Sequence, residues 1–135
     1  TTASGKSRLQ WYLKKTSPDI LILALGANDG LRGLKLTESE KNLDQIIKLA
    51  KEKNIKVLLV GMRLPPNYGE EYVQSFKKMY TNLKEKYELP SMPFMLKGVG
   101  GVKELNIEDG IHPNENGHKV IADNLMKSLG PLIKK

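Results

Sequence analysis

Six apolar residues stand in succession from Ile20 to Leu25, in the run DILILALG between an aspartate and a glycine. A stretch so short and so apolar suits a strand covered on both faces, the setting of a parallel sheet flanked by helices. A second run of this kind, KVLLVG, follows at residues 56–61. Between the two, Leu43, Ile46, Ile47 and Ala50 recur at helical spacing, and Thr37 with Glu40 has the form of a capping box. Asn54 is placed to end that helix.

The same alternation continues along the chain. MRLPPNYG reads as a loop, and Val73, Phe76, Tyr80 and Leu83 line one side of a helix over residues 70–87. A short strand is expected near residues 91–95, then an irregular glycine-rich stretch. The last helix runs from about Asn114 to Leu129, with Ile121, Leu125 and Leu129 four apart. At the other end, residues 8–15 read as the close of a helix stopped by Thr16, Ser17 and Pro18, with Trp11 and Tyr12 as packing residues. Strand and helix in alternation imply parallel strands joined by right-handed crossovers. The expected fold is therefore α/β, a three-layer α/β/α sandwich forming one domain over residues 1–135.

Composition removes several classes of function. A hydrophobic share of 39% and a charged share of 27% belong to a folded globular chain. No apolar run approaches the roughly 18 residues of a bilayer-spanning helix, so stable membrane insertion is not expected. The absence of cysteine excludes disulfides, thiolate metal sites and a cysteine nucleophile. With two histidines only, neither a metal nor a cofactor is expected. The net charge of +7 arises from lysines scattered over helix faces and loops. A solvated basic surface follows, without the clustered charge of a nucleic-acid footprint.

In open sheets of this kind ligands bind beyond the carboxyl ends of the strands. Three loops occupy that rim: GANDGLRGLK, GMRLPPNYG and the connection from Phe94 to Pro113, which contains EDGIHPNENGH. In the last, Asp109 precedes His112 by three positions. A carboxylate there can orient an imidazole that takes a proton from a hydroxyl nucleophile and returns it to a leaving group. Pro113, at the first helical position, would stiffen the turn. The same residues also read as an Asp-Gly turn with a surface histidine. In the first loop, Gly26 admits close backbone approach, and the Asn28 amide can donate to a developing oxyanion. Asn28, Asp29 and Gly30 read equally as a turn leaving a strand. His118 is expected on the solvent side of the last helix.

GAND at 26–29 and DGIHP at 109–113 resemble the third and fifth conserved blocks of the SGNH, or GDSL, hydrolases, a superfamily of serine esterases and lipases. LALGANDGLRGL, RLPPNYG, DGIHPNENGH and VIADNL are similar to the branch of bacterial thioesterase I, arylesterase and lysophospholipase L1, in the same order along essentially the whole chain. The resemblance implies a flavodoxin-like sheet and hydrolysis of acyl esters or lysophospholipids through an acyl-serine. It implies Asn28 as oxyanion donor, Asp109 as the residue that orients the histidine, and His112 as general base and acid. Gly26, Asp29, Gly30, Leu31, Arg63, Leu64 and Pro65 would lie at the substrate, with residues 30–35 as a loop beside the acyl groove. It also points to the periplasm or to secretion.

The chain departs from that family's pattern in one respect. It has neither the GDS block that carries the nucleophilic serine nor the glycine block, and none of Ser4, Ser7, Ser17, Ser39, Ser75, Ser91 and Ser128 has the required context. The expectation is a domain without its first βαβ portion. Ile20 to Leu25 would then stand as an open sheet edge, free to pair with the missing N-terminal segment or with another chain. Two other readings remain: a noncatalytic binding domain of the same fold, and a phosphate-binding loop suggested by GKS at residues 5–7.

Overall fold

A computed structural model describes residues 1–110 and 112–133. Helix α1 (Thr2–Tyr12) leads to strand β1 (Ile20–Leu23) and a short helix α2 (Ala27–Leu31), then α3 (Leu36–Glu52) and β2 (Lys56–Val60). Helix α4 (Glu70–Tyr87), strand β3 (Ser91–Met92) and helix α5 (Glu115–Ile133) complete the order, with 3-10 turns at Pro66–Tyr68 and Lys103–Leu105. The sheet is parallel in the order β1-β2-β3, with Ile20 opposite Lys56 and Leu59 opposite Ser91. Both crossovers advance in one direction, so α3 and α4 share a face of the sheet, where they pack on each other and α1 packs on α3. Helix α5 touches β2 and β3. Together these contacts form the three layers expected from the alternation of elements.

The core is centred on β2. Val57, Leu58, Leu59 and Val60 are all buried, and successive strand residues face opposite sides. Val57 and Leu59 join Leu43, Ile46, Ile47, Phe76 and Leu83 in one cluster with α3 and α4. Each of those helical residues is at most 2% exposed, and each recurs at helical spacing.

Strand β1 departs from the expectation of burial on both faces. It ends at Leu23, only Leu23 in it is fully buried, and Ile22 is 39% exposed. Its one partner is β2, which leaves the opposite edge of its backbone without a neighbouring strand among the described residues. Trp11 and Tyr12 also differ from expectation. They are 59% and 48% exposed and border, with Leu21, Ile22 and Leu25, an open groove of about 470 Å³ along that edge. Leu9 and Leu13 are the residues of that segment that pack inward.

Helix ends account for most other differences. Helix α3 begins at Leu36 with no side-chain cap, so the Thr37–Glu40 box does not form, and Ser39 gives its hydroxyl to Asp29 instead. Asn54 does close α3: it is left-handed at φ 58°, and Ile55 N–H returns to the Ala50 carbonyl at 2.9 Å. At α5 the cap is Asn114, whose Oδ1 accepts from Gly117 N–H at 2.9 Å. Pro113 therefore stands before the helix, bridged to Asn106. Strand β3 is two residues long. Pairing nevertheless continues irregularly past it, with Gly61 N–H to Met92 O and Met95 N–H to Gly61 O.

Candidate active site

Two separately supported groups sit on loops leaving the carboxyl rim of the sheet. The first is carried by α2, directly after β1. Gly26 is its N-cap at φ 116°, a left-handed backbone that glycine adopts readily, and a Cβ there would collide with the Tyr80 hydroxyl. That hydroxyl donates to the Leu25 carbonyl at 2.8 Å. Asn28, two residues on, is exposed. Asp29 turns inward and is 3% exposed. Its Oδ1 accepts the backbone N–H of Thr2 at 2.9 Å, and its Oδ2 accepts the hydroxyls of Thr2 at 2.6 Å and Ser39 at 2.7 Å. Burial alone would push its pKa up, but the hydrogen bonds from Thr2 and Ser39 outweigh it and hold the carboxyl below its usual range.

The second group is the Asp109–His112 pair. His112 Nδ1 lies 2.6 Å from Asp109 Oδ2, and the His112 backbone N–H donates to Asp109 Oδ1 at 3.0 Å. An ionised carboxylate only accepts, so Nδ1 carries the proton and Nε2 is the nitrogen left for proton exchange. The histidine side chain is 72% exposed and the aspartate side chain 39%. A tight local framework supports the pair. Ile107 N–H donates to His112 O at 2.9 Å and Asn114 N–H to Leu105 O at 2.9 Å, while Asn114 Nδ2 reaches Glu104 O. Asn106 Nδ2 donates to Val99 O and Val102 O.

The loop after β2 links the flanking segments. Arg63 is exposed and stacks its guanidinium 4.8 Å above the Phe94 ring. Tyr68 and Tyr72 donate their hydroxyls to Leu31 O and Leu34 O, tying that loop and the start of α4 to residues 30–35.

The seven residues expected at the substrate divide into two groups. Leu31, Arg63 and Pro65 are exposed. Gly26, Asp29, Gly30 and Leu64 are buried instead: Gly30 presses on Phe76 and Leu64, and Leu64 joins the core at 7% exposure. They build the rim from beneath. His118 is exposed on α5. No group of three or more His, Cys, Asp or Glu that could hold a metal occurs among the described residues. The supporting roles of Thr2, Ser39, Tyr80, Asn106 and Asn114 were not anticipated from the sequence. Ser39 alone had a visible sign, since it falls on the apolar stripe of α3 between Leu36 and Leu43.

The α/β/α sandwich thus carries Asn28 and the Asp109–His112 pair on loops that follow its strands, and comparison with known proteins identifies the family. The chain belongs to the GDSL-like lipase/acylhydrolase family, whose model matches residues 1–120. Esterase TesA of Pseudomonas aeruginosa is 37% identical over 133 residues, covering 98% of this chain and 66% of that protein. Thioesterase 1/protease 1/lysophospholipase L1 of Escherichia coli is 38% identical over 133 residues, covering 98% and 64%. The chain thus spans just under two thirds of the length of these relatives. The crystal structure of the psychrotrophic esterase EstA from Pseudoalteromonas sp., inhibited by monoethylphosphonate, superposes with a TM-score of 0.93 at 29% identity, covering all of this chain and 74% of that one.

Proposed function

We propose that this chain supplies the acid–base couple and the oxyanion amide of a serine esterase or thioesterase acting on small acyl esters, lysophospholipids among them. The observation that carries the reading is the 2.6 Å contact between His112 Nδ1 and Asp109 Oδ2. In the reaction, Nε2 takes the proton of a serine hydroxyl as its Oγ bonds to the ester carbonyl carbon. The Asn28 amide donates to the resulting oxyanion. The imidazolium gives its proton to the departing alcohol or thiol as the carbon–heteroatom bond breaks, and water then repeats the sequence to release the acid. Asp109 stays ionised throughout and stabilises the imidazolium.

The serine, in this reading, comes from a polypeptide element that pairs with the open edge of β1. A strand added parallel to β1 would end beside Gly26 and Asn28, where a nucleophile is needed. The likeness to EstA, an esterase at a TM-score of 0.93 and 29% identity, supports the reading. The test joins the chain, ahead of Thr1, to the N-terminal third of Esterase TesA and measures p-nitrophenyl ester hydrolysis. Turnover is expected, with kcat reduced ~10²–10⁴-fold by His112→Ala. A folded fusion without turnover, or with turnover indifferent to residue 112, overturns the reading.

A further inference from the structure

We infer that Asp29 is a positioning residue: its buried carboxylate pins α2 to α1 and α3 and so fixes the direction in which Asn28 presents its amide. Helix α2 has five residues, too few to hold itself together, since isolated helices shorter than about 12–15 residues are marginal in water. Its placement must come from what it touches. Three donors converge on Asp29 from two other helices: the N–H and hydroxyl of Thr2 at the start of α1, and the hydroxyl of Ser39 in the first turn of α3. Asn42 of α3 closes the network by donating its amide to Thr2 Oγ1 at 3.1 Å. Charge-assisted hydrogen bonds of this kind are short and directional.

The pin fixes more than the helix axis. Asn28 and Asp29 are successive helical residues, about 100° apart around α2. With Asp29 locked inward and Gly30 pressed on Phe76, the turn of α2 about its own axis is set, and the Asn28 side chain is directed outward with it. Slackening the network lets α2 rotate and scatters the amide. The charged and titratable groups near the carboxylate are the Thr1 α-amino group and, from α4, the hydroxyls of Tyr72 and Tyr80.

The catalytic consequence rests on the role proposed for Asn28, but the pinning does not, and the experiment separates them. In the ¹⁵N-labelled chain, NMR reads the Asn28 side-chain amide directly. In Asp29→Asn, which forces the two hydroxyls to turn from donors into acceptors, that signal is expected to shift and broaden while the His112 and Asn114 signals stay in place. Thr2→Val should reproduce the change and Thr2→Ser should restore it, which keeps the test intact if Asp29→Asn fails to fold. An Asn28 signal unchanged in a folded Asp29→Asn or Thr2→Val chain overturns the inference, whatever the esterase assay gives. In the hydrolysing fusion, Asp29→Asn is expected to lower kcat about 10-fold with KM unchanged, part of the ~10²–10³-fold that loss of an oxyanion donor costs.

Discussion

Asn28 and Asp29 are neighbours on α2, and their side chains take opposite directions. The GAND motif marks a rim position, yet one of its two polar side chains faces solvent and the other faces the interior. Spacing cannot distinguish them, because the partners of Asp29 lie 27 and 10 residues away. Its depressed pKa makes a signed prediction. Above the usual carboxyl value of 3.8 both folded and unfolded chains are ionised at Asp29, and the stabilisation is fully present. As pH falls below that value the unfolded chain binds the proton first, so the contribution declines until the folded pKa is passed. Urea unfolding at pH 7 and pH 3 should show a smaller loss of stability in Asp29→Asn than in the unaltered chain. Asp44, also depressed, contributes equally to both and cancels. Tyr80 offers a second residue-scale test. Phenylalanine there keeps the ring and strands the Leu25 carbonyl, at an expected cost of about 1–3 kcal/mol in urea unfolding.

Among the elements, α4 was legible from end to end, because Val73, Phe76, Tyr80 and Leu83 face a core that covers the whole helix. α1 was not. Residue spacing reveals which side of a helix is apolar, but whether that side is covered depends on a neighbour, and Trp11 and Tyr12 have none across β1 among the described residues. The Asp109–His112 couple was legible because it is local, whereas Pro113 stands two positions before the first helical residue, Glu115, because Asn114 takes the cap. Helix α5 adds a constraint that no motif suggests. Its Gly117 packs on the Leu105 carbonyl so closely that a Cβ would collide with it and press on Pro113. Gly117→Ala should therefore drive α5 from the loop that holds His112, and the Asp109-bonded Nδ1 proton should lose its downfield NMR signal.

At the scale of the whole molecule, the consequential feature is the uncovered flank of β1. Ile22, Trp11 and Tyr12 place apolar surface beside a strand edge, a combination that favours pairing between copies. Sedimentation is expected to show association that grows with protein concentration, and Ile22→Lys should return the chain to a monomer without lowering its melting temperature.

The two halves of the site also differ in how far apart their supports lie in the chain. The bonds that shape the histidine loop span no more than 10 residues, whereas Thr2 must find Asp29 across 27, with β1 already seated between them. Nearby contacts close sooner than distant ones. During refolding of the whole chain, the histidine loop would therefore form first and the pinning of α2 by Thr2 would follow. The later step in folding would then be the arrival of the first few residues at α2, an order that time-resolved hydrogen exchange can follow.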